Sequence, residues 1–219
     1  MSTRRTLDGR WPGWIRHYTQ LGAEEELVTL DGVGDPEKFA RAPRRVLFVL
    51  KEPNNVRNTD MRWELRNGPH KMWHAVARWA ATLLAGEPLS YEAADRPAAK
   101  QGALRQVAAI NLKKVSGGSE SDMRDISLVA YRDREVLRVQ IAEIAPQVIV
   151  ACGTFSQLVW LLDLRVSQDA PLMSPAWGPS DRYAVLPFRH PARSQREHYV
   201  EFTRLAAMLP RIKGATPSG

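Results

Sequence analysis

One cysteine, five histidines and no long apolar run set the first limits on this chain of 219 residues. With Cys152 alone, one chain has neither an internal disulfide framework nor an all-cysteine metal or iron–sulfur site. The histidines show no metal-ligand spacing with acidic or cysteine neighbours, apart from His70 and His74, which would share one face of a helix. No third ligand accompanies that pair, so both read as packing or surface residues, and neither a metal nor a cofactor is expected. A stretch of about 18 apolar residues, the minimum for a membrane span, is missing too. The start, Met1-Ser2-Thr3-Arg4-Arg5, meets Asp8 and Gly9 without the apolar segment of a secretory signal, so a cytoplasmic protein off the membrane is expected.

What is present is a core and a positive charge. Hydrophobic residues make up 44% of the chain, enough for one domain with a real interior. The formal net charge is +7, carried mostly by arginine, whose planar fork suits phosphate and makes nucleic acid a plausible partner. Much of that charge also fits an ordinary solvated surface.

The stretch that organises the rest is Val46 to Leu50, a continuous apolar run that empties into Lys51-Glu52-Pro53-Asn54-Asn55. Such a run reads as a strand buried on both faces, and a polar cluster hard against its end is either a site or a solvated loop. Three more runs follow: Arg105 to Ile110 ending in Asn111, Gln147 to Cys152 closed by Gly153, and Arg182 to Phe188 delivering Arg189, His190 and Pro191. Between them lie helical patterns. Met72, Trp73, Val76, Trp79, Ala80 and Leu83 form a wide stripe behind Pro69, and Val136, Leu137, Ile141 and Ile144 form another that Pro146 ends. Thr154 caps a helix from Phe155 to Leu164, and Ser194 with Glu197 reads as a capping box for a last helix whose Tyr199, Phe202, Ala206 and Leu209 face inward. Arg57 to Gly68 lacks periodicity and reads as a loop, and Glu87 to Gly102 as a loop with a short helical turn.

Four strands alternating with helices predict an α/β protein, a three-layer α/β/α sandwich around a four-stranded parallel sheet. A single domain over residues 1–213 is expected, with a peripheral helix and loop in 1–43, the core in 44–209 and a disordered tail in 214–219. All four strand ends then meet at one edge, around Glu52, Asn111, the Gly153-Thr154 turn and His190.

One reaction that asks for such residue types, independently of any family resemblance, is cleavage of an N-glycosidic bond. Positive charge builds on the sugar and negative charge on the leaving base, so a carboxylate near the sugar and a donor at the base are both useful. Glu52 and His190 supply one of each. Asn111, with donor and acceptor side by side, can read the edge of a flipped pyrimidine. An aromatic wall must sandwich that base; Trp63, Trp73 and Phe48 are candidates, with Trp63 preferred because it falls in a loop while Trp73 has core spacing. Arg57, Arg62, Lys113, Lys114, Arg189 and Arg193 are candidate phosphate contacts.

A strand ending in Glu52-Pro53, a second ending in Asn111 before a basic glycine-containing loop, a third reading Val148-Ile149-Val150-Ala151-Cys152-Gly153-Thr154, and a fourth ending in His190-Pro191 together resemble the uracil-DNA glycosylase superfamily, from about Arg44 to Leu209. The resemblance implies a monofunctional DNA glycosylase acting as a monomer on DNA, with catalytic residues Glu52, Asn111 and His190. By the same resemblance Glu52 positions the attacking water, Asn111 reads the base, and His190 donates to the departing base. The base pocket would add Pro53, Asn54, Asn55, Trp63 and Phe48. DNA contacts would come from Lys51, Arg57, Arg62, Lys113, Lys114, Ser116, Gly117, Thr154, Arg189, Arg193, Ser194 and Gln195, with Ala192-Arg193-Ser194-Gln195 entering the duplex. The chain departs from the pattern in lacking the glycines around its first motif, in having Ala192 where a small hydroxyl residue is usual, and in lacking the cysteines of the iron–sulfur branch. Those departures turn the expectation from uracil alone towards a larger or modified base, such as a derivatised cytosine in phage DNA. The rival readings are a catalytically inactive DNA-binding relative and a hydrolase of a free nucleoside.

Overall fold

The computed structural model describes residues 11–54, 56–68, 71–118, 120–167, 173–192 and 194–210, without the side chains of residues 11, 12 and 71. The expectations for Pro69, His70 and the tail 214–219 lie outside the described residues.

The sheet begins with the runs that are apolar on both faces. Strands β2 (Val46–Leu50), β3 (Val107–Asn111), β4 (Val148–Cys152) and β6 (Ala184–Phe188) are buried at every position. Pairing is parallel throughout this set, with β3 and β4 on either side of β2 and β6 beyond β4. Two strands of two residues each close the edges antiparallel, β1 (Gly32–Val33) on β3 and β5 (Ala176–Trp177) on β6. The expected four-stranded parallel sheet is therefore corrected: the sheet is six-stranded and mixed, in the order β1-β3-β2-β4-β6-β5. The added strands are too short to carry a period of two, and their antiparallel ladders come from chain that doubles back on an edge.

Alternation along β2 divides the interior. Val46, Phe48 and Leu50 face one apolar cluster with α3 (Met61–Asn67), α4 (Lys71–Ala85), α5 (Tyr91–Asp95), α6 (Pro97–Leu104) and α10 (Arg196–Ala206). Leu47 and Val49 face a second cluster with α1 (Trp11–Gln20), α2 (Pro36–Arg41), α7 (Met123–Arg132), α8 (Arg134–Ile144) and α9 (Phe155–Leu161). In the first cluster Trp79 stacks on Phe202 at 5.2 Å and meets the edge of Phe188 at 5.0 Å.

Several local expectations change. The segment expected to be a loop after residue 57 contains α3, started by the Asp60 side chain accepting from the Arg62 amide at 2.9 Å. It holds because Met61 and Leu65, one turn apart, are both buried. Glu87 to Gly102 contains α5 and most of α6 rather than one helical turn. Helix α10 is boxed by Gln195 and His198 instead of Ser194 and Glu197. Thr154 makes no side-chain cap for α9; its hydroxyl donates to the Val49 carbonyl at 2.9 Å. Among the described residues no helix is long and apolar enough to cross a membrane.

Candidate active site

Strands β2 and β3 run in register from Val46 opposite Val107 to Leu50 opposite Asn111, and their pairing continues past the strand ends. Leu112 donates to the Leu50 carbonyl and Lys113 to the Lys51 carbonyl, each at 3.0 Å. That extension sets the two polar tails side by side. At this edge lies a cavity of about 270 Å³, lined by Glu52, Pro53, Asn54, Asn111, His190 and Ala192 from the strand ends, and by Thr29, Leu50, Val56, Thr59, Met61, Glu64, Met72 and Trp73.

Glu52 is held from two directions. Its side chain is 4% exposed, and Oε2 accepts from Lys113 Nζ at 2.8 Å; the same ammonium donates to Asp125 Oδ2 at 2.7 Å. Burial disfavours the Lys113 charge, yet the hydrogen bonds to Asp125 and Glu52 outweigh it and raise the Lys113 pKa. On its other side the carboxylate rests on Gly117, where an added Cβ would fall 2.2 Å from Oε2. Gly117 is itself tied in by donating to the Pro53 carbonyl at 3.0 Å. Only glycine leaves room for the carboxylate in this position.

Asn111 is 2% exposed and has a clamped backbone. Its N–H donates to Asp31 Oδ2 and its carbonyl accepts from Lys114 Nζ, each at 2.8 Å. Lys114 and Asp31 form an ion pair with both side chains fully buried, completed by Gln140, which accepts from Lys114 and donates to Asp31. Burial lowers the Lys114 pKa, and Asp31 opposes that shift. The Asn111 amide nitrogen donates to Met61 Sδ at 3.0 Å. Thioether sulfur is a weak acceptor, so a stronger acceptor entering the cavity competes easily for that N–H.

His190 is a neutral base. Burial pushes its pKa down from 6.5 to about 4, and the nearby Lys51 charge adds to the fall. Ala192 N–H donates to Nδ1 at 3.3 Å, so the neutral ring carries its proton on Nε2, leaving that N–H as its donor. The approach of Lys51 is permitted by Gly153, at φ +71°, where a Cβ would meet Lys51 Cε at 3.0 Å and His190 Cβ at 3.7 Å.

The remaining expected site residues divide. Trp63 is 59% exposed and absent from the cavity wall, whereas Trp73, fully buried, lines it and donates its indole N–H to Glu64 Oε2. Phe48 lies in the core beneath the sheet. Lys114 and Thr154 are fully buried and do not reach an outside phosphate. Lys113 is engaged by Glu52 and Asp125, Arg57 by Glu24 and Glu26, Arg62 by Asp60, and Arg189 by Glu201. The Ser116 hydroxyl accepts from the Val56 amide, the Ser194 amide donates to the Pro191 carbonyl, and Gln195 caps α10. Lys51 remains beside His190; Asn55 and Arg193 lie outside the described residues. The sequence did not single out Glu64 or Asp31, and it offered Gly117 as a DNA contact rather than as the backbone against which the Glu52 carboxylate rests. Glu64 sits in the segment read as a loop, and its two-turn helix has too few apolar positions to announce itself. No cluster of three or more His, Cys, Asp or Glu able to hold a metal ion occurs among the described residues.

No family model matches the chain, and no curated protein matches it.

Proposed function

We propose that the chain is a monofunctional DNA N-glycosylase, a hydrolase that draws a modified pyrimidine out of the strand and cleaves its bond to deoxyribose. The observation that carries this reading is the convergence of Glu52, Asn111, His190 and Trp73 on one cavity. A flipped base entering it would lie against Trp73, with Asn111 at its polar edge. Neutral His190 would donate Nε2–H to the base oxygen as negative charge develops there. Glu52, kept in place by Lys113 and Gly117, would face the sugar, offset its positive charge and orient the attacking water. The motif resemblance at the four strand ends supports the same assignment.

Purified protein should release free base from oligonucleotides carrying uracil, modified cytosines or other modified pyrimidines, leaving alkali-labile sites. Glu52→Gln should lower turnover by about 10²- to 10⁴-fold with the circular dichroism unchanged, as loss of a positioned base does. No release from any of these substrates removes the proposal.

A second reading, hydrolysis of a free nucleoside, is favoured by one observation: most cations near the cavity are engaged by carboxylates of the same chain. Salt separates the two, because affinity for DNA falls steeply with ionic strength and affinity for an uncharged nucleoside does not.

A further inference from the structure

We propose that a second cavity, at the amino ends of the parallel strands, binds a nucleoside monophosphate, with its phosphate on the guanidinium forks of Arg45 and Arg182 and its ring beside Tyr183. This cavity, of about 460 Å³, is walled by Arg45 just before β2, by Pro146 before β4, and by Arg182 and Tyr183 before β6. The strands are parallel, and Glu52, Asn111 and His190 stand at their carboxyl ends. Five residues of strand, about 17 Å, separate the two cavities, so this site does not rest on the glycosylase reading. Its size falls within the range of small-molecule sites.

The polar side chains of its wall are Arg45, Arg138, Asp163, Arg182 and Tyr183. Two of the arginines each give one nitrogen to the end of a helix. Arg45 Nε donates to the Ala145 carbonyl behind α8 at 2.7 Å, and Arg138 Nε donates to the Leu161 carbonyl at the end of α9 at 2.6 Å. Arg138 is further engaged by Asp163, whose Oδ2 accepts from it at 3.0 Å. Arg182 Nε meets the Pro179 carbonyl at 3.4 Å. The terminal nitrogens of Arg45 and Arg182 face no carboxylate among the described residues. Three arginines against one aspartate leave a surplus of positive charge, and two helix ends, each worth about half a negative charge, offset only part of it. The balance favours an anion, and two guanidinium forks match the three oxygens of a phosphate monoester, one more than a carboxylate offers. The rest of the wall is apolar, with Ile141, Leu161 and Leu162 buried beneath it. The Tyr183 ring is pressed onto Gly178, where an added Cβ would fall 2.4 Å from it, so a flat apolar surface is held in place for a base. Burial raises the Tyr183 pKa, and the charges of Arg182, Asp163 and Arg138 all act on it, which sets the neutral phenol among the polar groups of the cavity. Asp163, held by Arg138, has Oδ1 left to accept from a ribose hydroxyl.

The test is calorimetric titration of the full chain with adenosine 5′-monophosphate, adenosine and inorganic phosphate. The monophosphate should bind once per chain, about 10-fold or more tighter than either fragment, because each fragment forgoes one set of contacts. Arg182→Gln should weaken it about 10- to 100-fold, the range for a lost hydrogen bond to a charged group, with the circular dichroism unchanged because Arg182 is exposed. Lys51→Gln, at the other end of the sheet, should leave the affinity as it is. No binding, adenosine or phosphate binding as tightly as the monophosphate, or an affinity lowered by Lys51→Gln and not by Arg182→Gln overturns the proposal. A dinucleotide carrying a 5′-phosphate separates the two sources of such a group. Unchanged affinity extends the site to the ends of strands, a loss of about 10-fold or more confines it to free nucleotides, and the site stands in both cases.

Discussion

At His190 a half-buried imidazole resists a proton that the unfolded chain accepts readily. The native pKa is about 4 against 6.5 for the free side chain. Between those values the unfolded state binds more protons, so this residue's contribution to stability falls as pH drops from 6.5 towards 4 and levels off below. In urea unfolding from pH 7 to pH 4, the stability of wild type relative to His190→Gln should decline steadily through that window. A constant difference would mean that His190 titrates like an ordinary surface histidine. The same depression keeps Nε2–H neutral at physiological pH, so donation to a leaving base would not depend on pH until well into the acid range.

At the level of elements, the loop after β3 does as much for the site as the strands do. Gly117 supports the Glu52 carboxylate with bare backbone, and any side chain there must push the carboxylate aside. If the proposed base release takes place here, Gly117→Ala should lower it about 100-fold, the usual cost of displacing a reacting group by an ångström, with the fold retained. Gly118→Ala is the matched control, since its added carbon meets nothing within 4 Å, and it should leave turnover unchanged. Equal effects of the two would remove the packing argument. The elements also show what a sequence displays and what it hides. Val46–Leu50 and Val148–Cys152 announced themselves because a strand covered on both faces must be apolar throughout. Gly32–Val33 and Ala176–Trp177 could not, for two residues carry no period and their pairing is decided by the strand they land on. The strand-end positions of Glu52, Asn111 and His190 were readable in the same way, while Glu64 and Trp73 reach the cavity only because α3 and α4 fold over the sheet end. Trp73 carries the spacing of a core residue and is both buried and part of the wall, a dual position that periodicity cannot distinguish.

Across the whole molecule, the Asp31–Lys114 pair joins segments 83 residues apart and ties the amino-terminal region to the backbone of Asn111. Tyr18, which donates to Asp133 at 2.7 Å, packs against the same region. Removing one partner strands a charge in the interior, so Lys114→Met should cost about 3–5 kcal/mol in chemical denaturation. Combining it with Asp31→Leu should recover much of that loss, because no lone charge is then buried. A double variant as unstable as the single one would show that packing, not charge, holds the region. The two-residue strands at either end of the sheet carry a consequence of another kind. A long flat border would invite a second chain to lengthen the ladder, and short antiparallel closures at both borders give such an addition almost nothing to copy. Concentrated solutions of this protein should therefore resist strand-to-strand aggregation even though four of its strands are apolar from end to end.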